Sequence, residues 1–196
     1  MYAVLGEDDS DVDTLKVLIR RLAMEPNLPI KKKGYGSCGE MLNKGAKHLK
    51  LFKEEGCTRL IVCYDSDGQD KQERFNEALE KVIRPAGIPP YITGMSLCGM
   101  EACCCIVIPV QEIESWILAD IQSVSKVFSG WRPAPIRQNP ETIESPKEFL
   151  EKLSRQGVRP RYSHAAHNKV VAEHINLGLV RNRCESFGAL VDFVLN

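Results

Sequence analysis

Apolar and polar positions along the first 120 residues follow two alternating rhythms. Short apolar runs at Tyr2 to Leu5, Leu60 to Tyr64 and Cys104 to Val110 have the length of strands. The second and third are apolar throughout, as strands buried on both faces are. A weaker strand signal lies at Ile30 to Tyr35. Between these runs, apolar residues return every three or four positions. Val12, Leu15, Ile19 and Leu22 predict a helix over 11–23, Met41, Leu42, Leu49 and Phe52 one over 38–54, and Phe75, Leu79, Val82 and Ile83 one over 71–84. A further helix is expected over 112–123. Ser10, with Asp13 three residues on, reads as the cap of the first helix, and Pro26 and Pro29 end it. Strands separated by helices imply an α/β fold with a mostly parallel, Rossmann-like sheet flanked by helices.

Beyond Val127 the pattern changes. Residues 131–146 hold four prolines and no period, which predicts a loop. Helical spacing returns over 146–155, 165–177 and 186–195, the last with Ser186 as its expected cap and Phe187, Leu190, Val191 and Val194 as its buried stripe. The chain therefore divides into an α/β catalytic domain, 1–126, and a loop and small helical C-terminal region, 127–196, packed on it.

Charge narrows the partners. With 26 basic and 26 acidic residues the net charge is zero, without the basic excess of a chain that grips nucleic acid alone. A balanced basic face or another subunit would have to supply that grip. The basic clusters Lys31 to Lys33, Arg155 to Arg161, and Arg181 with Arg183 read singly as solvated surface. The start of the chain has no basic lead before a long apolar run, and the longest apolar run, Cys103 to Val110, is too short to cross a bilayer. A cytoplasmic protein without a membrane partner is expected. The eight cysteines lack Cys-x-x-Cys spacing and read as small buried hydrophobes in a reducing compartment, with Cys103 and Cys105 facing one way and Cys104 the other.

The candidate chemistry is acidic. Ligands of parallel α/β sheets bind at the carboxyl ends of strands, and three acidic groups fall there: Glu7 with Asp8 and Asp9, Asp65 with Asp67, and Glu112 with Glu114. Taken singly, these are a helix-dipole partner, a turn and an exposed helix position. Together at one sheet edge they repel one another unless cations neutralise them. Glu7, Asp65, Asp67 and Glu114 are thus the expected ligands of Mg²⁺ or Mn²⁺. An EF-hand starting at Asp65 fails, because Asp70 stands at its glycine position and Asn76 at its closing glutamate. Gly34 to Gly39 matches Gly-x-Gly-x-x-Gly but follows the second strand, which argues against a dinucleotide site. Its amides and Lys31 to Lys33 remain possible contacts for substrate phosphate. His164 and His167, one helical turn apart, read as exposed helix residues rather than ligands.

Gly6-Glu7 and Asp65-Ser66-Asp67, with a helix just after the glutamate, resemble the Toprim domain of topoisomerases, primases and related nucleases. The segment Glu114-Ser115-Trp116-Ile117-Leu118-Ala119-Asp120, Pro146-Lys147, Tyr162 and Cys184-Glu185-Ser186-Phe187 resemble a small bacterial Toprim-like branch over nearly the whole chain. That resemblance implies a nuclease effector of anti-phage defence, partnered by an ATP-binding-cassette-type ATPase in a hetero-complex or as a homo-oligomer. Its substrate would be DNA, tRNA or other RNA. It also implies a charge-stabilising lysine, which Ser163 and His164 displace from its usual place and which is assigned to Lys169. The chain lacks room for a topoisomerase tyrosine domain and lacks a primase zinc region. Two competing readings stand beside the nuclease. One is a receiver-like phosphoacceptor with Asp65 as acceptor, opposed by acids where a lysine belongs. The other is a non-enzymatic, metal-binding regulatory subunit.

Overall fold

The computed structural model describes residues 1–92, 101–155 and 160–196. Four parallel strands, β1 (Tyr2–Gly6), β2 (Ile30–Gly34), β3 (Arg59–Cys63) and β4 (Cys103–Val107), form one sheet in the order β2-β1-β3-β4. Leu5 is in register with Lys33 on one side and Val62 on the other, and Cys63 with Val107. The apolar runs of β1 and β3 lie inside the sheet, and β4 at the far edge is buried along its length. β2, with its three lysines, lies at an edge, where charge is tolerated and discourages further pairing.

Alternate strand residues feed two cores, as the period of two requires. Val4, Ile61 and Cys105 belong to one, with α1 (Asp9–Leu22); Leu5, Leu60, Val62 and Cys104 belong to the other, with α2 (Cys38–Glu54) and α3 (Lys71–Ala78). From α3 the chain passes through a π turn (Leu79–Ile83) into α4 (Arg84–Ala86), which ends at Gly87 with φ of +66°. After β4 come α5 (Glu114–Ala119) and a 3-10 turn (Ile121–Lys126), then α6 (Pro146–Ser154), α7 (His164–Ala172), α8 (Leu177–Arg183) and α9 (Glu185–Leu195). Trp116, Tyr162, Val171, Phe187 and Leu190 of these segments join the α1 core. Among the described residues no helix is long and apolar enough to cross a membrane.

Two glycines let the first helix start hard against the sheet. A Cβ on Gly34 would lie 2.6 Å from the backbone of Asp8 and Asp9, and one on Gly6 would lie 2.9 Å from Val12 Cγ1. The carboxyl ends of β1 and β2 therefore meet the first turn of α1.

The structure corrects several local expectations. The cap of α1 is Asp8, whose Oδ1 accepts the Asp11 amide at 2.9 Å, because the helix begins earlier than its apolar stripe does. Ser10 instead donates to the carbonyl of His164. The helix expected over 165–177 is two, since the Asn176 side chain starts α8 by accepting the Leu179 amide. Ser186 does not cap α9: Glu141 accepts the amides of Glu185 and Ser186 at 2.9 and 3.0 Å. Ser186 Oγ is thereby free to accept the Trp116 indole N–H at 2.8 Å. Among the described residues six cysteines are free thiols, but Cys103 is disulfide-bonded, so the uniformly reduced set does not hold. Pairing needs proximity of Cα atoms in the fold, whatever the sequence spacing. Cys98, and residues 156–159 of the stretch Arg155 to Arg161, lie outside the described residues.

Candidate active site

The chain leaves β1 toward β2 on one side of the sheet and later passes to β3 on the other, so a crevice opens between the carboxyl ends of β1 and β3. Glu7 stands directly after β1, and its Oε1 accepts the amide of Asp65 at 3.0 Å. Asp65 is buried, and its Oδ1 has no hydrogen-bond partner among the described residues. The turn that follows is stitched to the segment beyond β4. Ser66 N–H donates to Pro109 O at 3.1 Å, Asp67 N–H to Gln111 O at 3.0 Å, and Gln111 N–H to Ser66 Oγ at 2.9 Å. Asp67 takes φ of +49° and Gly68 +74°, a left-handed pair that aspartate and glycine accept more readily than most residues. Half of the Asp67 side chain stays exposed, with its Oδ2 at 3.9 Å from Arg74 Nη2.

Glu114 opens α5 and is 1% exposed. Its Oε1 accepts from Asn168 Nδ2 at 2.9 Å, while Oε2 has no partner among the described residues. Asn168, fully buried on α7, accepts in turn from the Tyr162 hydroxyl. The sequence profile of a domain of unknown function, DUF4276, matches residues 7–195. The chain belongs to the DUF4276 family. No curated protein and no solved structure matches it.

In this DUF4276 chain two further groups complete the cluster. Asp11, on the inner face of α1, is 5% exposed. Lys147, at the start of α6, is held by Glu112, which takes its backbone amide at 2.9 Å and its ammonium at 3.4 Å. Burial, then the charges of Asp11, Glu114, Glu7 and Asp67, push Asp65 well above the usual carboxylate range. Asp11 rises for the same reasons, through burial, Asp8 and Glu114, with Lys147 opposing. Burial and Asp67 carry Glu7 up to about 7. Burial raises Glu114 against the pull of Lys147 and Asn168. For Lys147 burial works against the charge, but Glu114, Glu112, Asp11 and Asp65 outweigh it and hold the ammonium more firmly protonated than usual.

The fold thus brings Glu7, Asp65 and Glu114 together, with Asp67 at the rim. Lys169 does not join them. It is half-exposed, 3.9 Å from Asp13, because its neighbour Asn168 takes the inward position of α7 and the next residue points about 100° away. Asp9 is exposed beside Lys32, Asp8 caps α1, and Glu112 serves Lys147. His164 and His167 are partly buried rather than exposed. His167 packs at 4.8 Å from the Phe128 ring and accepts the Ser163 amide, while His164 Nδ1 lies 3.8 Å from Glu151. Lys31 and Lys32 pair with Glu55 and Asp13, and Lys33 lies over the Tyr35 ring.

For a cation, the donors are all carboxylate oxygens, and two of the buried ones, on Asp65 and Glu114, lack partners. That chemistry fits Mg²⁺ or Mn²⁺. Among the described residues no three acids, histidines or cysteines stand in ready-made ligand geometry.

Proposed function

We propose that this DUF4276 protein is a divalent-metal-dependent nuclease that hydrolyses phosphodiester bonds in DNA or RNA. One observation carries the reading: acids from β1, β3, α1 and α5 converge at the switch point of the sheet with unpaired buried oxygens on Asp65 and Glu114. Carboxylates gathered out of water without counter-ions are costly, and a hard cation removes that cost. Glu7, Asp65, Asp67 and Glu114, joined by Asp11, would hold Mg²⁺ or Mn²⁺. Such an ion, when bound, neutralises charge on phosphoryl oxygens and acidifies a water molecule.

The remaining roles fall to the protein. Asn168 holds Glu114 Oε1 so that Oε2 is left for ligation. The Asp65 amide does the same for Glu7, through Oε1. Lys147, rather than Lys169, supplies the charge-stabilising lysine of the Toprim-like resemblance. The anti-phage setting and the ATP-binding-cassette-type ATPase partner rest on that resemblance alone, chiefly on Glu114 to Asp120, and the cytoplasmic location on the lack of a membrane-length apolar run.

A receiver-like phosphoacceptor gains from the structure a lysine near Asp65. It loses on Asp65 itself, which is only 8% exposed, and on Glu112 and Glu114, acids that stand in the sequence where its lysine belongs. Stable aspartyl labelling by acetyl phosphate would decide for it.

The deciding assay incubates single-stranded DNA, duplex DNA and tRNA with Mg²⁺ or Mn²⁺, with and without an ATP-binding-cassette-type ATPase partner. Wild type is compared with Glu7→Ala and Asp65→Ala. Cleavage is expected to fall by at least about a hundredfold in both variants, the usual scale for losing a group that stabilises transition-state charge. Equal cleavage by all three proteins sinks the reading.

A further inference from the structure

We infer that Arg74 is a phosphate-docking group at the rim of the acidic crevice, offering the Nε–Nη2 edge of its guanidinium to an oxyanion. The inference takes from the nuclease reading only the identity of that anion as a phosphodiester.

Arg74 lies on α3 and is 9% exposed. One side of its guanidinium is fully engaged. It stacks over the Tyr64 ring at 4.5 Å, and Nη1 donates to the Tyr64 hydroxyl and to Glu77 Oε2 at 3.3 Å. The other side is not. Nε is buried without a hydrogen-bond partner among the described residues, and Nη2 approaches only Asp67 Oδ2, at 3.9 Å, beyond hydrogen-bond reach. An arginine cannot shed its charge to escape this, and a buried donor left unpaired is costly.

The two idle donors lie on one edge of a planar fork, the geometry that matches a pair of phosphate or carboxylate oxygens. Tyr64 and Glu77 fix the fork from behind, so the edge is set before any ligand arrives. Position selects phosphate. The charge of Arg74 is felt at Glu7, and besides its ion pair with Glu77 it faces Asp67, so it stands over acids that repel a phosphodiester. Lys147 lies at the floor, paired with Glu112, whereas Arg74 meets an incoming anion at the rim. Asp67, half-exposed, is the side chain that must swing aside to open the edge.

The test uses the full chain in EDTA, so that cleavage cannot intervene, with two probes: a short fluorescent single-stranded oligonucleotide and inorganic phosphate. Wild type is expected to bind both. Arg74→Lys keeps the charge and the stem over Tyr64 but lacks the fork, and should bind roughly tenfold more weakly. Arg74→Gln should lose more. Asp67→Asn, which frees the edge from its competing carboxylate, should bind severalfold more tightly, and it keeps the test alive if changes at Arg74 unfold the protein. Phosphate binding that depends on Arg74, without oligonucleotide binding, upholds the docking site while counting against the nuclease. Wild-type affinity in Arg74→Lys and Asp67→Asn alike, or no binding of either probe to wild type, overturns the proposal.

Discussion

The floor and the rim of the crevice hold the same functional groups in opposite settings. On the floor, Asp11, Asp65 and Glu114 are 5%, 8% and 1% exposed, and the groups that offset their charge are Lys147 and Asn168. At the rim, Asp67 is half in water, and Glu7 shares with it the nearby charge of Arg74. Water screens Asp67, so its charge costs little stability, whereas Glu7, between rim and floor, is partly withdrawn from that screening. The floor acids have no such relief and must be neutralised by protons, by Lys147 or by a cation. Folding is therefore sensitive to the floor, whereas the rim is free to meet ligands.

The contrast predicts unequal and partly opposite effects. The largest is expected for Lys147→Met, which removes the floor's cation. Breaking a fully buried pair costs about 3–5 kcal/mol, and with 24% of the Lys147 side chain exposed about 2–3 kcal/mol is expected at pH 8 in EDTA. Urea unfolding measures it, and Mn²⁺ should restore much of the loss. Asn168→Leu comes next, at about 1–3 kcal/mol, because it leaves Glu114 Oε1 and the Tyr162 hydroxyl without their shared partner. An unchanged midpoint would mean that the Tyr162–Asn168–Glu114 chain contributes nothing to the floor. Smaller, and of opposite sign, is Asp65→Asn. Removing a repelled buried charge should stabilise the metal-free protein by about 1 kcal/mol, while Asp67→Asn at the rim should stay within about 0.5 kcal/mol. Equal shifts in the two variants would erase the distinction between floor and rim.

The same distinction explains how far the site could be read from sequence. The common edge is legible because β1, β3 and β4 are apolar runs with acids at their carboxyl ends, so a parallel sheet brings Glu7, Asp65 and Glu114 to one side. The strand order that sets them side by side is not legible. Asp11 was missed although it left a trace. It stands in phase with Leu15, Leu18 and Leu22, a carboxylate on the buried stripe of an amphipathic helix. Asn168 holds the corresponding place on α7, with Val171 and Ala172. Lys147 carried a weaker mark, a Pro-Lys at a helix start, and its role was assigned to Lys169 because which face of α7 turns inward is decided by tertiary packing. The partnership of Glu141 with α9 spans 45 residues from Glu141 to Ser186 and has no local signal at all.

Acidity offers the mildest way to probe the rim. Glu7 titrates near 7 in the folded chain against 4.5 as its ordinary value, because burial and Asp67 disfavour its charge. Between these values the folded state binds more protons than the unfolded one, so stability falls as pH rises. The contribution is complete below 4.5 and is gone once pH has passed about 7. Asp65, Asp11 and Glu114 are shifted in the same direction and add to the slope, so Glu7 must be isolated by difference. Urea unfolding of wild type and Glu7→Gln in EDTA, from pH 5 to 8.5, makes that subtraction. The variant should show the shallower decline, and the two curves should separate mainly between pH 5 and 7. Parallel curves would place the Glu7 carboxyl in ordinary solvent. Glu7 would then stand with Asp67 in the water-screened rim, and the buried floor would be left to Asp11, Asp65 and Glu114.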